Sequence, residues 1–272
     1  ARRWVHIFGI SIQPSELVKV SIILALSKYY HDLKFNNIGY IRNLFIPLFI
    51  IFIPFLLVLR QPDLGTSIMV VLLGLAIMFV AGVRLWKFCL GLIISLIAMP
   101  VLWSNLQPYQ HRRVLAFLNP ESDPLGTGYH LIQSKIALGS GGSTGKGYLQ
   151  GTQSYLEYLP EKQTDFIFTL IGEEFGFIGV MFLLILFLLI IILSYYISYR
   201  SNHVFGRILS VGIALNIFLY VFSNTSMVTG LIPVVGVPLP LISYGGTSML
   251  SVMISFGLLM NVTVHSHLKK LN

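Results

Sequence analysis

The sequence predicts an all-α polytopic membrane protein, and three observations carry that reading. Of its 272 residues, 55% are hydrophobic and only 10% charged, where a soluble domain carries about 25% charged residues. Mean hydropathy is +0.80. Seven apolar stretches recur along the chain, and one long polar segment, from about Asn105 to Asp165, interrupts them.

The chain opens at Ala1 with neither a Met nor a signal-peptide pattern, and Arg2-Arg3 leads into an amphipathic stretch. The natural N-terminus is expected to lie further upstream. The seven predicted spans are about Ser11–Tyr30, Leu44–Leu59, Leu64–Val83, Phe88–Trp103, Phe166–Tyr199, Ile208–Ser223 and Thr247–Val264. Several fall short of the roughly 20 residues a crossing helix needs, and their flanks extend them.

The first span opens on Gln13-Pro14-Ser15-Glu16-Leu17-Val18-Lys19. Glu16 and Lys19 share a helix face at this spacing. They form either a neutralising pair near the interface, with Lys19 snorkelling, or the wall of a polar cavity. The second and third spans are joined by Arg60-Gln61-Pro62-Asp63-Leu64-Gly65-Thr66. Asp63 is expected to cap the third span or to hold Arg60 or the long loop, a structural role in each case. Cys89, the only cysteine, reads as a buried thiol, and it leaves the redox compartment undetermined.

The polar segment contains Gly139-Ser140-Gly141-Gly142-Ser143-Thr144-Gly145-Lys146-Gly147. A phosphate-binding P-loop needs Ser or Thr after its Lys, and Gly147 stands there, so ATP or GTP binding is excluded. The glycines read as a tight surface loop whose N–H groups could meet an anion. The segment ends on Thr164-Asp165, where the chain re-enters the apolar phase. A carboxylate there is costly unless solvated or paired, and spacing alone leaves helix capping and catalysis both open.

The fifth span carries Gly172 and Gly176, a small-xxx-small pair that predicts a close helix seam. Glu173 and Glu174 sit beside it, either exposed on a projecting helix or bound to polar groups in a cavity. Between the last two spans, Asn224–Gly246 is apolar yet broken by Pro233, Pro238 and Pro240. Non-helical backbone at this depth needs protein or a water-filled cavity beside it, which predicts a re-entrant loop. The chain therefore divides into N-terminal membrane helices over 1–104, a large extracytoplasmic loop over 105–165, and C-terminal helices over 166–272 with the re-entrant segment 224–246.

Charge sets the orientation. One set of alternate loops holds nine Lys/Arg against Asp32 alone, and the other holds nine of each sign. Five of the second nine lie in the long loop, where the positive-inside rule has less force. The net +8 side is thus cytoplasmic, with the C-terminus, and the long loop is external. The basic pI of 9.6 reflects this topology and not nucleic-acid binding.

Four separated motifs now resemble one family, the SEDS peptidoglycan polymerases: Gln13 through Lys19, Gln61 through Thr66, Pro160 through Phe168, and Pro238-Leu239-Pro240-Leu241-Ile242-Ser243-Tyr244-Gly245-Gly246. The match covers essentially the whole chain. Phe117-Leu118-Asn119-Pro120, Gly126 through Lys135 and Gly145 through Ser154 resemble the elongation (RodA) branch more than the division (FtsW) branch. The family has ten transmembrane helices, which implies that about three precede the seven visible here. Gln163 stands where the family often has His, so that His is not required by this chemistry.

The resemblance implies a glycosyltransferase of the bacterial inner membrane that polymerises lipid II during elongation. It implies undecaprenyl diphosphate as leaving group and a class B penicillin-binding protein as transpeptidase partner. The donor is α-linked and the product β-1,4-linked, so direct inverting displacement is the simplest chemistry. That needs one base for the acceptor hydroxyl, and no strong acid, because diphosphate leaves as a stabilised anion. Asp165 matches the family's loop aspartate and is assigned as the base. Arg112, Arg113, Lys135 and Lys146, with Lys19 and Glu16 at the mouth, are the candidate substrate-binding residues. Asp63, Arg60, Pro238, Gly245 and Gly246 are assigned structural roles. Mg²⁺ or Mn²⁺ could share the charge, although no compact carboxylate cluster marks a site and no cofactor is otherwise implied. A lipid II flippase and a non-catalytic scaffold for the transpeptidase are the rival readings.

Overall fold

A computed structural model describes residues 4–7, 10–34, 37–122, 126–152 and 163–271. Arg2, Arg3, Gln153, Ser154 and Pro160 through Lys162, which the sequence reading used, lie outside the described residues.

Among the described residues the chain forms nine α-helices and one small hairpin. The hairpin pairs β1 (Val5–Ile7) with β2 (Ile10–Ile12), antiparallel, with His6 opposite Ser11. The helices are α1 (Pro14–Asp32), α2 (Phe45–Arg60), α3 (Leu64–Val80), α4 (Leu85–Ser104), α5 (Pro108–Leu118), α6 (Thr127–Ser140), α7 (Ile167–Arg200), α8 (Val204–Thr229) and α9 (Gly246–Leu271). Each of the seven expected spans corresponds to one helix, and α5 and α6 are additional helices inside the polar segment. Five helices are long and apolar enough to cross a membrane, and α3 is a shorter apolar helix.

Two compact units form. The first holds Ala1–Ile93, Leu189–Leu219 and Gly246–Asn272; the second holds Ile94–Leu188 and Tyr220–Gly245.

In the first unit, Ile23 and Leu26 of α1 and Leu73 and Ile77 of α3 are essentially inaccessible. Glycine makes the approaches close: a Cβ at Gly74 of α3 would collide with Ile51 of α2, and one at Gly212 of α8 would stand 2.7 Å from Ile23. Lipid is as apolar as these side chains, so tight packing rather than water exclusion joins membrane helices. Two of the sequence motifs meet here, beside the start of α9. The Gln13 backbone N–H donates to Thr247 Oγ1 at 3.2 Å, and the Gln13 side chain donates to Asp63 Oδ2 at 3.4 Å. Asp63 Oδ1 accepts from the Thr66 N–H at 3.2 Å, which caps α3 as its position predicts. Arg60 is exposed at the end of α2.

Cys89 is exposed on α4, not buried. No residue of α4 is buried within the chain, and a thiol is apolar enough to face hydrocarbon without penalty. The amphipathic N-terminal stretch is the hairpin, so the architecture is all-α apart from these few residues. The break before the last span is also shorter than expected. Helix α8 continues through Asn224 to Thr229, and only residues 230–245 are non-helical. No proline lies between Val204 and Pro233, so none stops the helix at Asn224.

In the second unit, Ser134 of α6 is fully buried, and its hydroxyl contacts Thr169 Oγ1 of α7 at 2.8 Å and the Val228 carbonyl of α8 at 2.9 Å. One small polar residue thus joins three helices.

Candidate functional site

Asp165 lies in the turn over 163–166, just ahead of α7, and is half-buried. The position next to the helix is Phe166, whose carbonyl accepts from the N–H groups of Thr169 and Leu170. Three bonds fix this turn from the other side of the second unit. Asn224 Nδ2 donates to the Asp165 carbonyl at 2.8 Å and to the Val237 carbonyl at 2.7 Å. Ser243 Oγ donates to the Thr164 carbonyl at 2.6 Å, and the Tyr244 N–H donates to the Gln163 carbonyl at 2.8 Å. The segment over 230–245 is therefore the support of the Asp165 turn.

The carboxylate itself lies against this support. Gly236 has φ +70°, and a Cβ there would stand 3.1 Å from Asp165 Oδ2. Any side chain at 236 would be both strained and crowded against the acid. Pro238 is half-buried between Val237 and Leu239, which are buried. Its fixed φ stiffens the strand of backbone that Asn224 grips.

Asn224 is the residue that sequence reasoning missed. It is fully buried, and an amide at that depth in an apolar helix is costly without partners. That cost was the available signal. Its partners are backbone carbonyls far away in sequence, which spacing does not reveal.

The candidate cations are distributed unequally. Lys135 of α6 is exposed, and its ammonium end packs so close to Gly230 that a Cβ there would collide with it. Lys135 and Asp165 thus abut the same supporting segment, at Gly230 and Gly236. Arg112 is exposed on α5, and the Arg113 guanidinium stands 6.0 Å from the Tyr109 ring centroid. Lys146 is engaged: its ammonium lies 2.7 Å from Glu173 Oε1 and 2.8 Å from Thr152 Oγ1. Glu16 and Lys19, in the first unit, form a 2.7 Å ion pair with both side chains buried. Lys19 is 1% exposed and does not snorkel.

Glu173 and Glu174 are buried rather than projecting. The glycine loop explains this. Helix α7 breaks at Gly176 (φ +64°, ψ −162°), and the loop over 141–147 takes up the groups the break releases. The N–H groups of Lys146 and Gly147 donate to the carbonyls of Glu173 and Glu174, and those of Phe177 and Ile178 donate to the carbonyls of Gly142 and Ser143. The loop N–H groups at 146 and 147 therefore serve α7 and not an anion. The expected seam holds at Gly172, where a Cβ would collide with Leu138, whereas Gly176 is the break.

Among the described residues, no group of three or more His, Cys, Asp or Glu side chains converges on a metal site.

Comparison with known proteins gives a consistent result. The profile of the FtsW/RodA/SpoVE cell cycle proteins matches residues 1–268. Peptidoglycan glycosyltransferase MrdB of Escherichia coli is 47% identical over the full chain and 73% of its own length. Stage V sporulation protein E of Bacillus subtilis is 40% identical over 98% of the chain and 72% of its own length. Among solved structures, a peptidoglycan synthase complex that coordinates polymerization and crosslinking aligns with a TM-score of 0.81 and 30% identity, covering 97% of this chain and 73% of that one. The rod shape determining protein RodA of Thermus thermophilus aligns with a TM-score of 0.66 and 26% identity, covering 97% and 69%.

Proposed function

This chain belongs to the FtsW/RodA/SpoVE family of cell cycle proteins, and on that premise we propose that it polymerises lipid II with Asp165 as the general base. The protein is a multi-pass membrane peptidoglycan glycosyltransferase of the elongation type. The acceptor 4-hydroxyl attacks the anomeric carbon of the donor sugar, the bond to the undecaprenyl diphosphate breaks, and the configuration inverts from α to β. Asp165 takes the hydroxyl proton as the new bond forms. The diphosphate departs as an anion and takes no proton from the protein.

The observation that carries this reading is the way the Asp165 turn is held. Asn224, Ser243 and the Tyr244 N–H grip the backbone at residues 163–165, while Gly236 leaves the carboxylate room. A base positioned by backbone bonds loses little freedom in the transition state. Lys135 is the favoured diphosphate ligand, because its ammonium reaches the same supporting segment. Arg112 and Arg113 supply further positive charge from α5, and a guanidinium grips phosphate with two parallel bonds. Lys146 contributes through the buried carboxylate it neutralises. Glu16 and Lys19 serve as a buried polar element of the first unit. Lipid II and a class B penicillin-binding protein are the partners, the long loop faces outward, and the C-terminus is cytoplasmic.

The test is glycan polymerisation from purified lipid II by the full-length protein with its transpeptidase partner. Asp165→Asn should lower the rate by about 10²–10⁴-fold while folding and partner binding persist. Equal polymer from both proteins would return Asp165 to a local structural role. No polymer from either, with lipid transfer across vesicles intact, would favour a flippase.

A further inference from the structure

A cavity of about 430 Å³ opens in the first unit between α1, the start of α8 and α9. It has a two-part lining. Leu24, Leu209, Leu258 and Val262 form an apolar floor, and Lys28, His31, His203 and His265 stand among the remaining lining residues. Glycosyl transfer as derived above uses none of these side chains.

The polar side chains favour an anion. His31 is set edge-on to Phe205, with ring centroids 6.4 Å apart, so its imidazole is held beside the cavity. His265 Nδ1 is oriented by the Asn261 carbonyl at 3.2 Å. Lys28 pairs with Asp32 at 2.9 Å, but both side chains are more than half exposed. An exposed pair on one helix is weak and screened by water, so the ammonium exchanges readily to a stronger anion. Arg207 reinforces the sign, since its Nε donates to the carbonyl of Ser201, another lining residue. Among the described residues that line the cavity none is a carboxylate, and Asp32 reaches it only through its pair with Lys28.

We propose that this cavity binds one anionic phospholipid, its phosphate held by Lys28, His31 and His203 and an acyl chain laid on Leu24, Leu209 and Leu258. Two features select a lipid over a soluble anion. The floor is apolar, and the charge pattern of the short loops puts this end of the helices at the cytoplasmic face, where anionic headgroups attract basic side chains. The inference stands apart from the assignment of Asp165.

Native mass spectrometry of the full-length protein tests it, with dioleoyl phosphatidylglycerol and dioleoyl phosphatidylcholine titrated separately. Wild type should retain one phosphatidylglycerol, and the double variant Lys28→Gln/His203→Gln should bind it about tenfold more weakly, which is about 1.4 kcal/mol. Leu24→Trp, which fills the floor and leaves the polar groups intact, should also lose the lipid, so the proposal survives if the double variant does not fold. Equal retention of phosphatidylcholine, or undiminished phosphatidylglycerol binding by a folded variant, would overturn the proposal. Displacement of the lipid by an equal concentration of inorganic phosphate would overturn the lipid assignment in favour of a soluble phosphate.

Discussion

Each compact unit buries a glutamate against a lysine at 2.7 Å, and the two pairs contribute differently. Glu16 and Lys19 sit one turn apart on α1, and both side chains are buried. Their mutual contact cancels two charges inside a single helix. Glu173 and Lys146 lie 27 residues apart in sequence. Their contact fastens the glycine loop to α7, with Glu173 fully buried and Lys146 27% exposed. A local pair makes a helix tolerable to its surroundings, whereas a distant pair decides which segments lie together.

The comparison predicts a graded set of losses. Lys19→Met should be the most damaging, at about 3–5 kcal/mol, because it removes the cation from an ion pair buried on both sides. Thermal unfolding in detergent measures it, and the double variant Glu16→Gln/Lys19→Met should recover most of the loss. Equal destabilisation by the single and double variants would show that packing, not charge, sets the effect. Lys146→Met should cost less, roughly 2–3 kcal/mol, since water already screens its end of the pair. Its distinguishing readout is limited proteolysis: the loop after α6 should be cut faster, while Lys19→Met should leave the cutting pattern unchanged. Asp63→Ala should cost least, about 1 kcal/mol, through loss of the α3 cap. A larger loss in the same unfolding assay would mean that the Gln13 contact matters more than the cap.

The same contrast explains what was legible in the sequence. Glu16 and Lys19 were readable as a pair because helical spacing dictates it. Asp63 was readable as a cap because Thr66 follows three residues later. The helices over the seven spans were readable because bilayer thickness and apolar run length set them together. Lys146 with Glu173, and Asn224 with the carbonyls of Asp165 and Val237, were not readable. Those partners meet only once the chain has folded, and no period or spacing encodes the meeting. Helices α5 and α6 were hidden because their polar faces make the segment resemble a loop. Gly176 could not be told from a packing glycine, because both uses require the same absent Cβ. The motif that includes Asp165 is legible in the sequence, whereas the residues that hold its turn are not.

The break in α7 bears on how the protein is made. A helix entering a bilayer ordinarily carries all of its backbone partners within itself. Helix α7 does not, because the groups around Gly176 bond to the loop over 141–147. That loop leaves the ribosome before α7 does. Its backbone groups are therefore synthesised before the helix that they complete. Completing this helix is a docking event as well as a partitioning event, because part of its backbone bonding is supplied from outside it.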